Sequence, residues 1–177
     1  MHYPVMNKAG DVITAAVTNL DLHDISRAVR TYGVKKFYVI TPLSDQRSLV
    51  GRIVSHWVQG MGATYNPDRR EALERIQVEN SIEEVIEKVR TACGERPKTV
   101  ATSAKKDRRS IGFHDFRKKL ESGAPCIITF GTAWGLSEEF ISSADYVLEP
   151  IKGSTDYNHL SVRSAASIIL DRLLGRD

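Results

Sequence analysis

The stretch Cys126-Ile127-Ile128-Thr129-Phe130-Gly131-Thr132-Ala133-Trp134-Gly135-Leu136-Ser137 decides the fold of this chain. Its first part, Cys126 to Phe130, is a short apolar run of the kind that forms a strand buried in a sheet centre. The glycines that follow let backbone amides approach a ligand more closely than residues with side chains could. Ser137 can cap a helix beginning Glu138-Glu139, whose acidic first turn suits the positive end of the helix dipole. The stretch therefore predicts a buried strand, a glycine loop and a helix.

A second glycine-containing loop, from Glu149 to Ser161, follows the predicted last strand, Tyr146 to Leu148. It is long and polar, and it leads into a strongly apolar final helix, Ser161 to Leu174. Long loops of this kind are usually functional. In open α/β sheets, ligands lie beyond the carboxyl ends of the strands, which is where both loops fall. The first loop alone favours a plain strand-to-helix turn, but the two loops together favour a ligand pocket.

Strand and helix patterns alternate along the rest of the chain. This alternation predicts an α/β fold with a mostly parallel sheet and helices on both faces. The 177 residues fit a single domain, residues 1–177. Further strands are predicted at Val12 to Val17, Lys36 to Thr41 and Thr99 to Thr102. Helices are predicted from an Asp21 cap to Gly33, around Leu49 to Trp57, after Asn66-Pro67, after the Ser81 to Glu84 capping box, and from Phe113 to Leu120.

The composition, with 41% hydrophobic and 27% charged residues, is that of an ordinary globular protein. No apolar run is long enough to cross a bilayer, and Met1 to Pro4 does not resemble the start of a signal peptide. We therefore expect a cytoplasmic protein that does not bind membranes. The two cysteines, Cys93 and Cys126, are expected to be reduced, partly buried thiols, and no metal site is expected.

A cluster of basic residues, Lys105, Lys106, Arg108 and Arg109, falls within five residues. The cluster is either a contact surface for nucleic acid or an ordinary solvated loop, since a charge run alone is weak evidence. The net charge of +3 permits a polyanionic partner without demanding one.

The two glycine loops and the final helix occur in an order that resembles the SPOUT superfamily of methyltransferases. Ile151-Lys152-Gly153 followed by Asn158-His159-Leu160-Ser161-Val162 is similar to the third motif of that superfamily. Phe130-Gly131 through Gly135-Leu136-Ser137 is similar to its second motif. Asp21 to Val34, with Arg27 six residues before Gly33, is similar to its first. The small bacterial family of S-adenosylmethionine-dependent RNA methyltransferases gives the best match.

The resemblance implies a C-terminal deep trefoil knot that holds S-adenosylmethionine, RNA as the substrate, and a homodimer with the final helix in its interface. Protein chains are almost always unknotted, so periodicity alone does not predict a knot. The implied donor-binding residues are Thr102, Ser103, Ala104, Phe130, Gly131, Trp134, Gly135, Leu136, Ile151, Gly153, Asn158, Leu160 and Ser161. Trp134 either stacks on a base or fills the core of the knot.

On the acceptor side, Arg27 shares a predicted helix face with His23 and Arg30. This face either orients RNA or is an ordinary polar surface. The predicted RNA contacts are His23, Arg30, Lys105, Lys106, Arg108 and Arg109, and Arg27 and Glu138 are the catalytic candidates. A base that takes up the acceptor's proton is sought among Asp24, Glu138, Asp156, His23 and His159.

The chain departs from the ribose-methylating branch of the superfamily in two places. Asp21-Leu22-His23 stands where that branch has Asn-x-Gly, and Thr132-Ala133-Trp134 contains no glutamate. The acceptor is therefore a ribose hydroxyl or a base, of transfer or ribosomal RNA. One alternative is a knotted RNA-binding module that binds the donor but lacks transferase activity, and another is an α/β nucleotide-binding protein without a knot.

Overall fold

The computed structural model describes residues 1–176 and places strand β5, Lys98–Ala101, inside a four-stranded sheet. β5 pairs with β7 (Cys126–Thr129) on one side and with β8 (Tyr146–Leu148) on the other. β8 pairs in turn with β6, Ser110–Ile111, which gives the order β6-β8-β5-β7. All three pairings are parallel, so these strands end at one edge of the sheet. The predicted parallel sheet is confirmed for this part of the chain.

The amino-terminal half contributes a second parallel pair, β3 (Phe37–Ile40) with β4 (Ile76–Glu79). It also forms an antiparallel hairpin of β1, Val5–Met6, with β2, Val12–Ile13. The prediction of one strand over Val12 to Val17 is therefore wrong beyond Ile13. The later residues bond singly to other segments instead: the Ala15 amide donates to the His2 carbonyl and the Val17 amide donates to the Gln46 side chain, both at 2.8 Å.

Helices cover both faces of the four-stranded sheet. The helices are α1 Asn19–Thr31, α2 Ser44–Val58, α3 Met61–Tyr65, α4 Pro67–Leu73, α5 Ile82–Cys93, α6 Phe113–Leu120, α7 Glu138–Ser143 and α8 Val162–Leu174. Val100 and Leu148 pack on one face of the sheet against α6 and α8, whereas Ala101 and Val147 pack on the other face against α5 and α7. This alternation follows from the two-residue period of a strand. Helix α1 lies between α8 and a separate core that it shares with α2, α4 and β3.

Three helix starts have the predicted polar cap. Ser81, Asn66 and Ser137 each accept a hydrogen bond from the backbone amide three residues on, at 3.3, 2.9 and 3.2 Å. The predicted cap of α1 is wrong: Thr18, and not Asp21, precedes the helix, and its side chain accepts from the Asp21 amide. The Thr18 hydroxyl donates to the Asp21 carboxylate at 2.6 Å, so Asp21 completes a reciprocal cap from inside the first turn.

A carboxylate at the start of β8 fixes that strand beside β5. Asp145 accepts hydrogen bonds from the Thr99 amide and hydroxyl at 2.9 Å and from the Lys98 ammonium at 3.0 Å. Burial alone pushes the pKa of Asp145 upward, but the hydrogen bonds from Thr99 and Lys98 outweigh it and hold that pKa below its usual range. Asp145 is therefore a charged, fully bonded link between the two strands.

The two cysteines are free thiols that differ in exposure. Cys126 is half-buried, as the sequence predicts, whereas Cys93 is exposed, so the prediction that both thiols are partly buried is wrong for Cys93. Burial raises the pKa of Cys126 to about 12, so its thiol stays protonated at neutral pH. Among the residues that the structure describes, none of the helices has both the length and the hydropathy needed to cross a bilayer.

We expect Leu173→Ala to destabilise the protein by about 2–5 kcal/mol, because it removes a buried side chain from the α6–α8–sheet core. Leu173 is only 2% exposed, whereas its neighbour Leu174 is 37% exposed and makes a matched control. Equilibrium urea unfolding should show a lower midpoint with an unchanged slope for Leu173→Ala and a much smaller change for Leu174→Ala. Equal losses for the two variants would contradict the packing described for α8.

Candidate functional site

Three loops leave one edge of the sheet from strands that are direct neighbours. They follow β5, β7 and β8, and they begin at Thr102, Phe130 and Glu149. The first two loops are bonded to each other at their base, because the Thr102 amide and hydroxyl both donate to the Thr129 carbonyl, at 3.2 and 2.8 Å. The parallel sheet therefore brings the three predicted donor-binding segments together at its carboxyl edge, the usual position of a ligand in such folds.

The loop after β7 turns so tightly that two of its positions depend on glycine. A Cβ atom on Gly131 would lie 2.6 Å from the carbonyl carbon of Gly135 and would overlap the Leu136 amide. Gly135 has a φ of +103°, in the region that favours glycine, and Ala133 has a φ of +52°. The turn is closed by the Gly135 amide, which donates to the Thr132 carbonyl at 3.0 Å.

The β1 strand holds this loop from outside. The Met6 amide donates to the Gly135 carbonyl at 2.9 Å and the Trp134 amide donates to the Met6 carbonyl at 3.1 Å. Val5 forms an antiparallel bridge with Leu136, whose side chain is buried. The Trp134 side chain, by contrast, is 63% exposed. That exposure rules out the core-filling interpretation of Trp134 and leaves its ring available to stack on a ligand.

The loop after β8 reaches back to the loop after β5. The Asn158 side-chain amide donates to the Ala104 carbonyl at 3.1 Å. Ile151 is half-buried against the α6–α8 core, whereas Gly153, Leu160 and Ser161 are exposed. Ser161 caps α8 by accepting from the Ser164 amide at 3.4 Å. Asn158 thus links this loop to the loop after β5, and the contact of the predicted residues with a donor stays a prediction.

The basic loop between β5 and β6 divides into two parts. Lys105, Lys106 and Arg108 are exposed, and the last two line a cavity of about 320 Å³ with Lys152 and Glu149. Arg109 is used within the chain: its guanidinium donates to the carbonyls of Ile141 (2.9 Å) and Ser142 (3.1 Å), at the end of α7. The structure thus gives Arg109 a structural contact, and its predicted contact with RNA stays a prediction.

The predicted acceptor-side residues lie on α1, and they are not equivalent. Arg27 is exposed and lines a cleft with Asn66, Asp68 and Arg69 of the α4 region. Arg30 forms an ion pair with Glu71, so part of its charge is neutralised. No local pattern pointed to the α4 residues, because they are about 40 positions from Arg27 and meet it only through the packing of α4 on α1.

His23 packs edge-on against the Trp57 ring, with the two ring centroids 5.4 Å apart. Arg69 stacks over the same Trp57 ring at 4.6 Å. Burial, and then the positive charge of Arg69, lower the pKa of His23 below its ordinary value, despite the opposing charge of Asp24. These two effects favour the uncharged imidazole, which can donate and accept hydrogen bonds.

The candidates for a proton-accepting base lie in different surroundings. Asp24 is ion-paired with Arg163 of α8 at 3.4 Å, and Asp21 is paired with the same arginine at 3.4 Å. Sequence reasoning missed this arginine, which joins the first and last helices. Glu138, Asp156 and His159 are exposed near the donor loops, with no hydrogen-bond or ion-pair partner for their side chains among residues 1–176. The structure does not single out one base.

The chain is an α/β sheet with glycine-bearing and basic loops at one edge, and solved structures share this fold. The chain aligns with a probable methylase family protein from Haemophilus influenzae (TM-score 0.63, 18% identity, covering 89% of this chain and 61% of that one). It also aligns with the SpoU methyltransferase AviRb from Streptomyces viridochromogenes in complex with AdoMet (TM-score 0.58, 21% identity, covering 90% and 54%). At these identities the likeness establishes the fold.

Sequence comparison supplies the family. A family model described as SAM-dependent RNA methyltransferase matches residues 1–175, so the chain belongs to that family. A tRNA (guanine-N(1)-)-methyltransferase from Oleidesulfovibrio alaskensis is 42% identical over 175 residues, which are 99% of this chain and 41% of that protein. An uncharacterized protein from Aquifex aeolicus is 37% identical over 178 residues, covering 100% of this chain and 87% of its own length. The chain thus spans about two-fifths of the curated methyltransferase that it matches.

We expect Arg69→Gln to raise the pKa of His23, because it removes a nearby positive charge that disfavours the protonated imidazole. The pKa can be followed by NMR titration of the imidazole carbon-bound protons. Arg70→Gln is the matched control, since Arg70 is on the same helix but pairs with Glu74. An unchanged pKa of His23 in Arg69→Gln would contradict the described Trp57 stack.

Proposed function

We propose that this chain transfers a methyl group from S-adenosylmethionine to RNA, with the donor held at the carboxyl edge of β7, β5 and β8. The observation that carries the proposal is the convergence of three loops at neighbouring strand ends. The loops after β7 and β8 carry the sequences that resemble the second and third motifs of the superfamily. The solved relative with AdoMet bound shares the fold and supports the same donor. RNA as the acceptor supports a cytoplasmic location.

The residues at this edge fit such a donor. Gly131 lies so close to Gly135 that only a glycine is tolerated, which lets the loop turn back tightly at the end of β7. The exposed Trp134 ring offers a stacking surface for an adenine. When bound, the sulfonium supplies an activated methyl group, and the protein's task is to align the accepting atom and exclude water. Gly153, Leu160 and Ser161 are exposed and are the further donor contacts of this proposal.

The proposed donor site includes a trefoil knot. β8 is inserted between β5 and β6, although those two strands are joined by the short segment 102–109. The chain that leaves β8 must therefore pass the segment that links its two neighbours. The hydrogen bond from Asn158 to the Ala104 carbonyl shows that the two segments are in contact. This crossing supports the knot. Without such a crossing a knot would not be expected, because protein chains generally do not thread through their own loops.

The acceptor is proposed to be a transfer RNA, because curated relatives are named tRNA methyltransferases. Those proteins are more than twice as long as this chain, so their guanine-N1 specificity is a hypothesis for it. Arg27 is the proposed orienting group for the acceptor and Glu138 the proposed proton acceptor. Exposed Lys105, Lys106 and Arg108 beside the donor loops would contact RNA phosphates.

A second candidate is a knotted module that binds donor and RNA without catalysing transfer. It is favoured by the exposure of Glu138, Asp156 and His159. Among residues 1–176, none of these side chains has a hydrogen-bond or ion-pair partner. A general base is usually positioned by a neighbouring group. Both candidates predict that the chain binds the donor and RNA, but only the first predicts that it transfers the methyl group.

We also propose that the protein acts as a homodimer through the α1–α8 edge. Two apolar side chains flank the Arg163 ion pairs that join these helices: Leu20 is 60% exposed and Leu160 is 44% exposed. Apolar side chains at a shared edge favour association with a second copy. A dimer here would set the donor loop of one subunit beside α1 of its partner.

We expect the protein to bind S-adenosylmethionine, and Gly131→Ala to abolish that binding, because the added methyl group overlaps the Gly135–Leu136 backbone. Isothermal titration calorimetry measures both. Gly51→Ala is the matched control, since nothing lies within 4 Å of its new Cβ and it sits inside a helix. Trp134→Ala changes an exposed position, so it should leave the thermal stability unchanged and weaken the binding of the donor. Donor binding unchanged in both Gly131→Ala and Trp134→Ala would contradict the site.

Transfer itself is tested with tritium-labelled donor and total RNA from a strain that lacks the gene. We expect label in RNA, a new methylated nucleoside by mass spectrometry, and at least a tenfold slower rate for Arg27→Gln with donor affinity unchanged. Binding of the donor without incorporation of label into any RNA would favour the non-catalytic module.

A further inference from the structure

A cleft of about 160 Å³ lies between α1 and the start of α4, lined by Arg27, Asn66, Asp68 and Arg69. Its sides come from segments about 40 residues apart, so it exists only in the folded chain. The family resemblance placed Arg27 on the acceptor side, but it assigned nothing to the three residues opposite. These three residues add an amide, a carboxylate and a second guanidinium group to the cleft.

The two arginines in the cleft are not neutralised by carboxylates of the described chain. Neither Arg27 nor Arg69 has a carboxylate within 4.0 Å among residues 1–176. Neighbouring arginines on the same two helices are paired: Arg30 with Glu71 and Arg70 with Glu74. The cleft therefore concentrates two unneutralised guanidinium groups, and one carboxylate, Asp68, leaves it net positive.

Arg69 is held in place before any ligand arrives. Its guanidinium lies 4.6 Å from the centroid of the Trp57 ring, and the His23 ring contacts the same indole with a centroid distance of 5.4 Å. A stacked arginine loses less side-chain entropy when it binds a phosphate, and its planar fork can donate two parallel hydrogen bonds. Asn66 accepts from the Arg69 amide at 2.9 Å through its side-chain oxygen, which leaves its NH2 group to donate to a ligand.

An aromatic side chain adjoins the cleft and has no cover. Tyr65 directly precedes Asn66 and is 86% exposed, and Met61 on the same short helix is 82% exposed. Exposed aromatic rings next to cationic side chains are the combination that single-stranded nucleic acids use, with phosphates on the cations and bases stacked on the rings. Paired bases are already stacked on one another, so such a ring favours an unpaired strand.

We propose that Arg69 and Arg27 together bind a backbone phosphate of an unpaired RNA segment, with Tyr65 stacking on an adjacent base. This inference rests on the proposed function, since it supplies the positioning of the RNA acceptor. Arg69 acts as a positioning residue. Asn66 adds a neutral donor to the same phosphate, and Asp68 accepts from a ribose hydroxyl or a base amino group.

The test measures binding of a fluorescein-labelled ten-nucleotide uridine RNA to the full chain by anisotropy at several salt concentrations. Arg69→Gln should weaken binding about fivefold and reduce the slope of log Kd against log salt by about 0.7, the value for one lost phosphate contact on a single strand. Arg52→Gln is the matched control, because Arg52 is an exposed arginine on α2 outside the cleft, and it should change neither quantity.

Tyr65→Ala tests the stacking part of the inference. It should weaken binding of the single-stranded RNA about fivefold and leave binding of an RNA duplex of the same length unchanged, because only unpaired bases stack on the ring. Wild-type affinity and salt slope in Arg69→Gln, or an equal loss in Arg52→Gln, would overturn the phosphate site. Equal weakening of single strand and duplex by Tyr65→Ala would overturn the stacking.

Donor titration separates this inference from the proposed function. Arg69→Gln should bind S-adenosylmethionine as the wild type does and unfold at the same temperature, while its KM for RNA rises. If the wild-type protein bound no donor, the proposed function would fail, and the RNA measurements would still decide whether the cleft binds an unpaired strand.

Discussion

The parallel pairing of β5 with both β7 and β8 is the constraint on which the rest of the structure depends. Two hydrogen-bonding side chains reinforce the backbone ladders: the Thr129 hydroxyl donates to the Val100 carbonyl at 2.7 Å, and Asp145 bonds to Thr99. Because three neighbouring strands point the same way, the loops that follow them are forced to one edge. The arrangement of that edge follows from the sheet before any ligand is considered.

The insertion of β8 between β5 and β6 has a further consequence. The segment 102–109 carries Thr102 to Ala104 of the proposed donor site and also the basic side chains Lys106 and Arg108. The same segment contacts the loop after β8 through Asn158. One short stretch of chain therefore joins the donor side of the proposed site to a positively charged surface. A methyltransferase that acts on RNA needs these two surfaces side by side, since the phosphate backbone supplies much of the affinity for RNA.

Much of this arrangement could be predicted from the sequence, because the signals involved are local. Apolar runs located β7 and β8, and the serines at 81, 137 and 161 marked three helix starts. These patterns act over a few residues. The predicted Asp21 cap failed because Thr18, three residues earlier, carries a side-chain oxygen that can accept the same kind of bond, and in the fold Thr18 accepts from the Asp21 amide. The Trp57–Arg69 stack has no local signal, since it forms only when α1, α2 and α4 pack together. The positions of the glycine loops after β7 and β8 were predictable from the sequence, but the exposure of Trp134 was not.

The central claim is that the donor occupies the edge formed by the three loops. Hydrogen–deuterium exchange with and without saturating S-adenosylmethionine tests it directly, because backbone amides that a ligand covers or orders exchange more slowly. The account predicts slower exchange in residues 102–104, 130–136 and 151–161, with residues 44–73 unchanged. Slower exchange confined to residues 44–73, or none anywhere at saturating donor, would contradict it.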